Sequence, residues 1–374
     1  MTPEGRPVIA VLRALALGDL LCAVPTLREL RRRHPDAWVV LIGLPWAATL
    51  VDRFPTLIDE HLAFPGFPGL PELPVDPARV TAFLASIQDR SIDLAVGLQG
   101  SGLASNAFLQ LLGARRLAGF HPPGVPPPAD GDWVPFRPHG HEAERLLRVA
   151  PVLGGEAATP AGDPSPALEF PVRSADWADL ERVPGAGRLV PGGYAVVHAG
   201  ANGPDRRWPV DRFARVARSL VDDGLTVVLT GTAGEASLTG AIAAALPHGS
   251  CLDLAGRTGL GTLAALVDGA RLVVTNDTGV SHVAAARRVP SVVVFTGSER
   301  ERWAPLDGVR HVAVGDGLPN GCGEHAASAR HRCLGDACAA RPAQAAWGPP
   351  RIPSVGLVRQ AVRGQLEAQR AATA

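Results

Sequence analysis

Short apolar runs and stretches of helical periodicity alternate along most of this chain. The run from Val8 to Arg13 predicts a buried strand, and residues 19–33 repeat apolar positions at helical spacing. The same alternation returns in the second half, where an apolar run at 194–198 precedes a helical pattern at 210–222. Strands that alternate with helices are typical of parallel sheets with crossover helices. The pattern therefore predicts an α/β fold with two sheets.

Two stretches interrupt the alternation. Residues 121–138 are rich in proline, which predicts an irregular loop, and residues 184–193 are predicted to link two domains. We therefore expect three parts in the chain. They are an N-terminal domain over residues 1–183, a C-terminal domain over residues 184–350 and a terminal helix over residues 351–374.

Composition narrows the class of protein. The chain has 374 residues, of which 46% are hydrophobic, and a formal net charge of zero, so its overall balance does not indicate a nucleic-acid partner. All 36 residues counted as Lys+Arg are arginine. A P-loop lysine and a Schiff-base lysine are therefore excluded.

The length of the apolar segments and the number of cysteines bear on the cellular location. No apolar segment approaches the length of a membrane span, so no transmembrane segment is predicted. The five cysteines are an odd number and do not suggest a secreted disulfide framework. We expect a cytoplasmic monomer without a cofactor.

The most informative motif follows an apolar run at residues 272–274. Asn-Asp-Thr-Gly ends this run, and the small residues from 280 to 286 open a helix. In open parallel sheets, ligands bind beyond the carboxyl ends of strands, where a helix N-terminus presents free N–H groups. The motif therefore predicts a site for an anionic or phosphorylated ligand. Its candidate residues are Asp277, Thr278, Gly279 and His282.

Gly18 and Asp19 follow the first predicted strand. Gly18 permits a tight turn close to a ligand, and Asp19 falls at the predicted N-cap of the next helix. Asp19 is either a plain capping residue, which the motif alone favours, or a carboxylate that accepts a proton from a hydroxyl. A carboxyl with the usual aspartate pKa of ~3.9 is ionised at neutral pH and is able to do so.

Two further strand ends carry polar groups. Residues 198–209 combine small residues with Arg206, Arg207 and a Trp-Pro pair, so the arginines either reach a diphosphate or are solvated in a surface loop. Residues 229–235 end in Glu235. This residue either bonds ribose hydroxyls or is a first-turn glutamate favoured by the helix dipole.

Two patterns are weaker. Gly259-Leu-Gly261-Thr-Leu-Ala264 matches a loose dinucleotide-binding pattern but lacks a good preceding strand, so it predicts only a helix start. Soft metal ligands occur close together near the C-terminus, but their spacing lacks a C-x-x-C pair, and no metal is predicted. These residues are Cys322, His325, His331, Cys333 and Cys338.

Taken together, the motifs resemble glycosyltransferase family 9, the ADP-heptose:lipopolysaccharide heptosyltransferases. The resemblance rests on residues 13–19, 25–36 and 92–100 in the first half and on the motifs ending at Pro209, Glu235, His282 and Pro305 in the second. It implies two facing Rossmann-like domains with an interdomain cleft, the GT-B type, and a terminal helix that crosses back to the first domain. It also implies an inverting, metal-independent transfer from a nucleoside-diphosphate sugar.

The resemblance also assigns roles to residues. It implies that Asp19 is the general base, that Glu235 contacts the ribose and that Asp277 contacts the donor sugar. Arg206 stands where the family carries a diphosphate-binding lysine, and its planar fork changes the phosphate geometry. The other expected donor-site residues are Gly18, Ala199, Asn202, Thr230, Thr278, Gly279 and His282.

The acceptor is left open by the sequence. The first domain is expected to bind a glycan or small molecule, with Gln99 and Ser101 as candidate contacts, and a lipid-linked acceptor would add a peripheral membrane contact. Arg115 and Arg116 either meet an anionic acceptor or are solvated. The alternative functions are a nucleotide-sugar epimerase or hydrolase of the same architecture and a non-catalytic nucleotide-sugar binding module.

Overall fold

A computed structural model of the chain describes residues 5–155, 164–316 and 352–373. It confirms the predicted α/β fold, with two six-stranded sheets built from parallel strands. Contacts divide the chain into two compact units, the first ending at Leu168 and the second beginning at Glu169.

The sheet of the first unit has the strand order β3-β2-β1-β4-β5-β6. Its strands are β1 (Val8–Leu12), β2 (Trp38–Gly43), β3 (Glu60–Ala63), β4 (Leu94–Gly97), β5 (Arg116–His121) and β6 (Asp132–Pro135). Its helices are α1 (Leu17–Arg33), α2 (Ala48–Val51), α3 (Pro77–Gln88), α4 (Ser105–Leu111) and α5 (Glu142–Leu147).

Strand β1 and helix α1 lie at the centre of this unit. All five residues of β1 are buried, which explains its uninterrupted apolar sequence. Helix α1 begins at Leu17, two residues before the predicted start, and continues through Pro25 to Arg33. It packs against α5, and Arg13 bonds both to Asp19 in the first turn of α1 and to Glu142, the first residue of α5.

The prediction of an irregular loop over residues 121–138 is wrong in part, because the loop contains β6. Strand β6 is an edge strand with β5 as its sheet neighbour, none of its four residues is buried, and it ends in Pro135. An edge strand tolerates proline because one side of its backbone needs no ladder hydrogen bond. Strand β3 at the opposite edge is equally short and also lacks buried residues, so neither edge has an apolar signal.

The sheet of the second unit has the order β12-β11-β10-β7-β8-β9. Its strands are β7 (Tyr194–His198), β8 (Thr226–Thr230), β9 (Cys251–Asp253), β10 (Leu272–Asn276), β11 (Ser291–Val294) and β12 (His311–Val314). Its helices are α6 (Ser174–Arg182), α7 (Val210–Asp222), α8 (Ala236–Ala244), α9 (Leu260–Asp268), α10 (Gly279–Arg287), α11 (Arg300–Trp303) and α12 (Val355–Thr373).

Helices at both ends of the second unit pack against its other elements. Helix α6, which the sequence assigned to the first domain, packs against α9, and the boundary between units therefore precedes it. Helix α12 packs against α7 and β11, where Val358, Val362 and Leu366 join the core of the second unit. The crossing of this helix to the first domain stays a prediction. Among the helices in the described ranges, none has the length and apolar character to cross a bilayer.

Candidate functional site

In the first unit, the turn from β1 into α1 brings Asp19 beside Arg13. The N-cap of α1 is Ala16, and Asp19 lies in the first turn of the helix, so the prediction that Asp19 is the capping residue is wrong. Gly18 is a buried residue of the helix rather than part of a preceding turn. Arg13 Nη2 donates to Asp19 Oδ1 at 3.3 Å, and Arg13 Nε donates to the Asp19 carbonyl at 3.2 Å.

Arg13 is the anchor of this turn, and the sequence did not single it out. Its side chain is 1% exposed and also donates to the carbonyl of Leu98 and, at 2.9 Å, to Glu142 Oε1. Glu142 in turn pairs with Arg145 at 3.1 Å. A buried arginine needs such partners, because an unpaired buried charge costs several kcal/mol. The available signal was an arginine directly after an apolar strand.

The predicted acceptor contacts follow β4, the sheet neighbour of β1. Gln99 is 4% exposed, and its Oε1 accepts from the backbone N–H of Ala14 at 2.7 Å. The Ser105 hydroxyl donates to the Gln99 carbonyl at 2.8 Å, which fixes the residue further. Ser101 lies half-buried in the following turn, and its role stays a prediction.

The structure adds Glu72 to this group. Burial raises the pKa of its carboxyl above the usual value, and the negative charge of Asp19 acts in the same direction. Three effects lower the pKa and so oppose this shift: a hydrogen bond to the backbone of Glu72, a hydrogen bond to the side chain of Gln99 and the positive charge of Arg13. Two carboxyl groups, Asp19 and Glu72, therefore lie close enough to interact beside Gln99. The surrounding sequence carries proline at every third position, 65 to 74, which could have marked a stiff segment.

In the second unit, the residues of the predicted anion site lie at the junction of β10 and α10. Arg206 Nη2 donates to Asp277 Oδ2 at 2.7 Å and to the Asp277 carbonyl at 3.0 Å. Asp277 is buried, and within the part of the chain that the structure describes its Oδ1 has no hydrogen-bond partner, while His282 Nε2 lies 4.0 Å away. Thr278 is the N-cap of α10 but makes no side-chain cap hydrogen bond, and Gly279 is the first helical residue. The structure thus brings together the four predicted residues of this motif and Arg206.

Asn276 holds the loop that carries Arg206 in place, although the sequence analysis gave it no role. Its Nδ2 donates to the carbonyls of Ala199 and Gly200, and its Oδ1 accepts from the backbone N–H of Trp208 at 2.9 Å. The Thr296 hydroxyl donates to the carbonyl of Asp205 at 3.0 Å, on the other side of the loop. The Asn276 side chain therefore connects β10 to the end of β7 and to this loop through buried hydrogen bonds.

Glu235 lies over the end of β7 rather than on an open surface. Its Oε2 accepts from the backbone N–H and the hydroxyl of Thr232, at 2.8 and 3.0 Å, in a capping box. A Cβ on Gly200 would collide with its carboxylate, so Gly200 makes room for Glu235. Both interpretations of Glu235 remain open, because the capping box occupies Oε2, whereas Arg207 lies 4.0 Å from Oε1.

The remaining predicted donor-site residues differ in accessibility. Thr230 is buried, and its hydroxyl lies 3.1 Å from His198 Nδ1. Burial lowers the pKa of His198, and the charge of Glu235 opposes this shift. Asn202 is exposed in the loop, and Ala199 is buried with its carbonyl held by Asn276. Their roles as donor contacts stay predictions.

The cysteines and histidines near the C-terminus are of residue types that bind metals. Cys322, His325, His331, Cys333 and Cys338 lie outside the described residues. Within residues 5–155, 164–316 and 352–373, no three or more His, Cys, Asp or Glu side chains form a group that could hold a metal ion. Metal independence of the reaction stays a prediction.

The two units, each built on a six-stranded parallel sheet, have the α/β fold of the GT-B type. Residues 156–324 match the model of glycosyltransferase family 9 (heptosyltransferase). The parallel-stranded sheet of the second unit lies largely within this match.

Curated relatives carry the same family name. Lipopolysaccharide heptosyltransferase 2 of Escherichia coli K12 is 38% identical over 107 residues, which are 28% of this chain and 31% of the relative. This match therefore spans about a third of that relative's length. Lipopolysaccharide heptosyltransferase 3 of the same strain is 25% identical over 296 residues, 77% of this chain and 82% of the relative.

A solved structure supports the fold over nearly the whole chain. The structure of E. coli ADP-heptose lps heptosyltransferase II has a TM-score of 0.68 and 21% sequence identity. The similarity covers 97% of this chain and 99% of that one.

Proposed function

We propose that this protein is an inverting, metal-independent glycosyltransferase that moves a heptose from a nucleoside-diphosphate donor, ADP-heptose, to a hydroxyl of a glycan or small-molecule acceptor. The names of the relatives support heptose as the sugar, and the name of the E. coli structure supports ADP-heptose as the donor. The proposal includes the cytoplasmic location and the monomeric state expected from the sequence.

The observation that carries the proposal is the charge arrangement at the start of α10. This helix has no acidic residue in its first turn and no side-chain cap, so its N–H groups and positive dipole end are available to an anion. Arg206 lies beside it and keeps its guanidinium oriented through Asp277. A helix N-terminus and an arginine together stabilise the charge that develops on a departing diphosphate, as a divalent cation does in other enzymes.

Asp19 supplies the complementary step in the proposed reaction. Its carboxylate takes the proton of the acceptor hydroxyl while the hydroxyl oxygen bonds to the anomeric carbon, and the bond from that carbon to the diphosphate oxygen breaks. Attack on the face opposite the leaving group inverts the anomeric centre. The bonds from Arg13 to the side chain and carbonyl of Asp19 support this role, because a base must be held in a defined position.

Glu235 is proposed to recognise the ribose through its Oε1. The capping box restrains Oε2, so the carboxylate is fixed before the nucleotide arrives. Preorganisation of this kind reduces the entropic cost of binding. The protein is then expected to bind ADP more tightly than 2′-deoxy-ADP.

A nucleotide panel with one pair of variants tests the proposal. Thermal shift with ADP, UDP, GDP and 2′-deoxy-ADP is expected to rank ADP first, because ligand binding to the folded state raises the melting temperature. Arg206→Gln should weaken ADP binding by roughly tenfold or more, as expected for loss of a charge-assisted hydrogen bond. Arg215→Gln, which removes an exposed arginine of α7, serves as the control.

Transfer is then measured with ADP-heptose and a panel of sugar acceptors, with and without EDTA. The expected product is a heptoside of inverted anomeric configuration, formed equally in EDTA. Absence of any thermal shift by ADP, or an equal response of both arginine variants, would contradict the proposed donor site. Conversion of ADP-heptose that does not depend on an acceptor would favour the epimerase or hydrolase alternative.

A further inference from the structure

A groove in the first unit lies beside the C-terminal half of α1. It has a volume of about 630 Å³ and is lined by residues of α1, by the end of α5 with the turn that follows it, and by Pro164 and Ser165. Sites of this size bind small molecules in other proteins. The charged residues among its described lining are four arginines and one carboxylate: Arg28, Arg32, Arg33, Arg148 and Glu29.

This groove is separate from the Asp19 turn. Helix α1 starts after the carboxyl end of β1 and ends at Arg33, shortly before β2 begins at Trp38. Because β1 and β2 are parallel, α1 runs from the carboxyl edge of the sheet to its amino edge. With a rise of ~1.5 Å per residue, Arg32 lies about 20 Å along the helix from Asp19. The groove is therefore not part of the proposed reaction centre.

Glu29 neutralises only part of the positive charge in the groove. Its carboxylate is buried and accepts from Arg32 Nε and Nη2 at 2.8 and 2.7 Å and from Arg33 Nε at 2.6 Å. The hydrogen bond from Arg32 is the main cause that lowers the pKa of Glu29, so the carboxylate is ionised at neutral pH. One negative charge is thus shared by two arginines, and Arg28 donates to the Ser165 carbonyl at 2.8 Å.

Arg148 differs from these arginines, because its side chain has no hydrogen bond and no ion pair in the part of the chain that the structure describes. The residue is half-buried, and its Nε is fully buried. Burial lowers the pKa of Arg148, and the positive charge of Arg137 acts in the same direction. Arg148 is the C-cap of α5, where the helix dipole favours a cation but does not provide an acceptor for the Nε–H. A buried donor without an acceptor is destabilising, and an anion in the groove would supply that acceptor.

Two other arginines of the first unit show the contrast. Arg115 pairs with Asp93 at 3.1 Å and Arg116 with Asp132 at 3.0 Å, and both arginines are exposed. These contacts agree with the interpretation of Arg115 and Arg116 as solvated residues. A half-buried guanidinium without a partner, as in Arg148, is therefore not a general consequence of the arginine-rich composition.

We propose that the groove binds a small, soluble molecule that carries a phosphate monoester group, at a site separate from the donor and acceptor sites of the proposed reaction. Arg148 donates to the phosphate oxygens, and the other arginines of the groove contribute positive charge. A phosphate monoester is favoured over a carboxylate because its dianion neutralises more charge and its oxygens match the planar donors of several arginines. The burial of Arg148 Nε favours a soluble molecule over a lipid headgroup held at a membrane surface.

Calorimetric titration of the full chain with glycerol 3-phosphate tests the proposal, with glycerol as the uncharged probe of the same skeleton. The titration is done at about pH 8, where a phosphate monoester with a second pKa of ~6 is a dianion. An ionic strength of about 0.15 M screens contacts between exposed charges. We expect glycerol 3-phosphate to bind and glycerol not to bind.

Arg148→Gln should weaken binding of glycerol 3-phosphate at least about tenfold, as expected for the loss of charge-assisted hydrogen bonds. Arg115→Gln, which removes an exposed arginine of the same unit, is the matched control and should keep the affinity. Equal losses in the two variants would mean that only the overall charge of the unit matters, and would overturn the proposal.

Two further variants cover the case in which Arg148→Gln does not fold. Arg148→Lys keeps the charge without the planar fork, so its affinity for glycerol 3-phosphate should lie between those of the unmodified protein and Arg148→Gln. Glu29→Gln removes the negative charge of the groove itself and should strengthen binding several-fold. Melting temperatures report whether each variant is folded. A merely structural role of Glu29 would not produce tighter binding.

The proposed donor site also takes phosphate groups, so the titrations include Arg206→Gln. This variant should weaken binding of ADP and keep binding of glycerol 3-phosphate, whereas Arg148→Gln should do the reverse. Loss of glycerol 3-phosphate binding in Arg206→Gln alone would locate the probe at α10 and overturn the groove as its site. Failure of ADP to bind would remove the proposed function and leave the groove standing.

Two other results would contradict the proposal. The first is the absence of any binding of glycerol 3-phosphate to the unmodified protein. The second concerns the source of the phosphate and is measured by sedimentation with phosphatidylcholine vesicles that contain phosphatidic acid. Binding to these vesicles that depends on Arg148, without binding of glycerol 3-phosphate, would show a lipid headgroup in place of a soluble ligand.

Discussion

Helices α1 and α10 each begin after a central strand of their own sheet and differ in the charges of their first turns. Each follows the carboxyl end of a central parallel strand, β1 or β10. Helix α1 carries Asp19 in its first turn, so the protein itself supplies a negative charge to the positive end of the helix. Helix α10 has no acidic residue in its first turn, and Thr278 does not cap it through its side chain.

Under the proposed function, one β–α geometry serves two tasks. In the first unit, Arg13 and the helix dipole hold a carboxylate that belongs to the protein. In the second unit, Arg206 pairs with Asp277, one residue before the N-cap, and we propose that the helix dipole acts on the negative charge of a ligand. The proposal thus assigns a base to one helix start and an anion site to the other.

Replacing Asp19, which removes the protein's own negative charge at the start of α1, is the most direct test of its proposed role as the base. Asp19→Asn should lower turnover roughly 10²- to 10⁴-fold, the range for loss of a general base, because the amide cannot take a proton. Affinity for ADP should change little, since Asp19 is not part of the anion site. Steady-state turnover and calorimetric titration with ADP measure the two effects.

Asp89→Asn provides the matched control for this variant, because Asp89 is an exposed residue at the C-cap of α3. Full turnover in Asp19→Asn would exclude Asp19 as the base. Equal loss of turnover in both variants would point to a general effect on the fold.

Placing a negative charge at the start of α10 should make it resemble α1. Thr278→Asp introduces a carboxylate at the N-cap, where it occupies the positive helix end in place of the ligand. We expect ADP binding to weaken by about tenfold or more through like-charge repulsion. Calorimetric titration checks this, with Thr278→Asn as the uncharged control of the same shape. Equal affinity of the two variants would mean that the diphosphate does not bind at this helix end.

A further expected effect concerns stability against acid in the second unit. Burial lowers the pKa of His311 to about 4, while its Nδ1 lies 2.9 Å from the Ser291 hydroxyl. The unfolded state binds a proton near the usual pKa of ~6.5 and the folded state does not, so stability is full above this pH and falls between about 6.5 and 4. The loss is at most about 1.4 kcal/mol per pH unit.

His311→Gln should flatten the pH dependence of the free energy of unfolding over this range, as measured by urea denaturation. The exposed His248→Gln should leave the pH dependence unchanged. Burial also lowers the pKa of His61 in the first unit, so the same measurement on a His61 variant compares the two units. An unaltered curve in His311→Gln would show that this histidine is not the source of acid sensitivity.

Much of the fold and part of the site could be predicted from local sequence. The buried central strands β1, β7 and β10 produce continuous apolar runs, and a helix follows each one, so the α/β class is visible in the pattern. The edge strands β3 and β6 were not predicted, because a strand that faces solvent has no continuous apolar run in its sequence. The Asp277 motif was recognised because its polar residues are contiguous in the chain.

The sequence by itself determined which residues end each central strand, and hence where Asp19, Glu235 and Asp277 lie on their sheets. Only the tertiary structure decided which distant groups meet there: Glu142 with Arg13, Arg206 with Asp277, and Glu72 with Asp19 and Gln99. The reason is that a strand end is specified by neighbouring residues, whereas these pairings arise when helices and loops close over the sheet. No local pattern encodes contacts between residues so far apart in the chain.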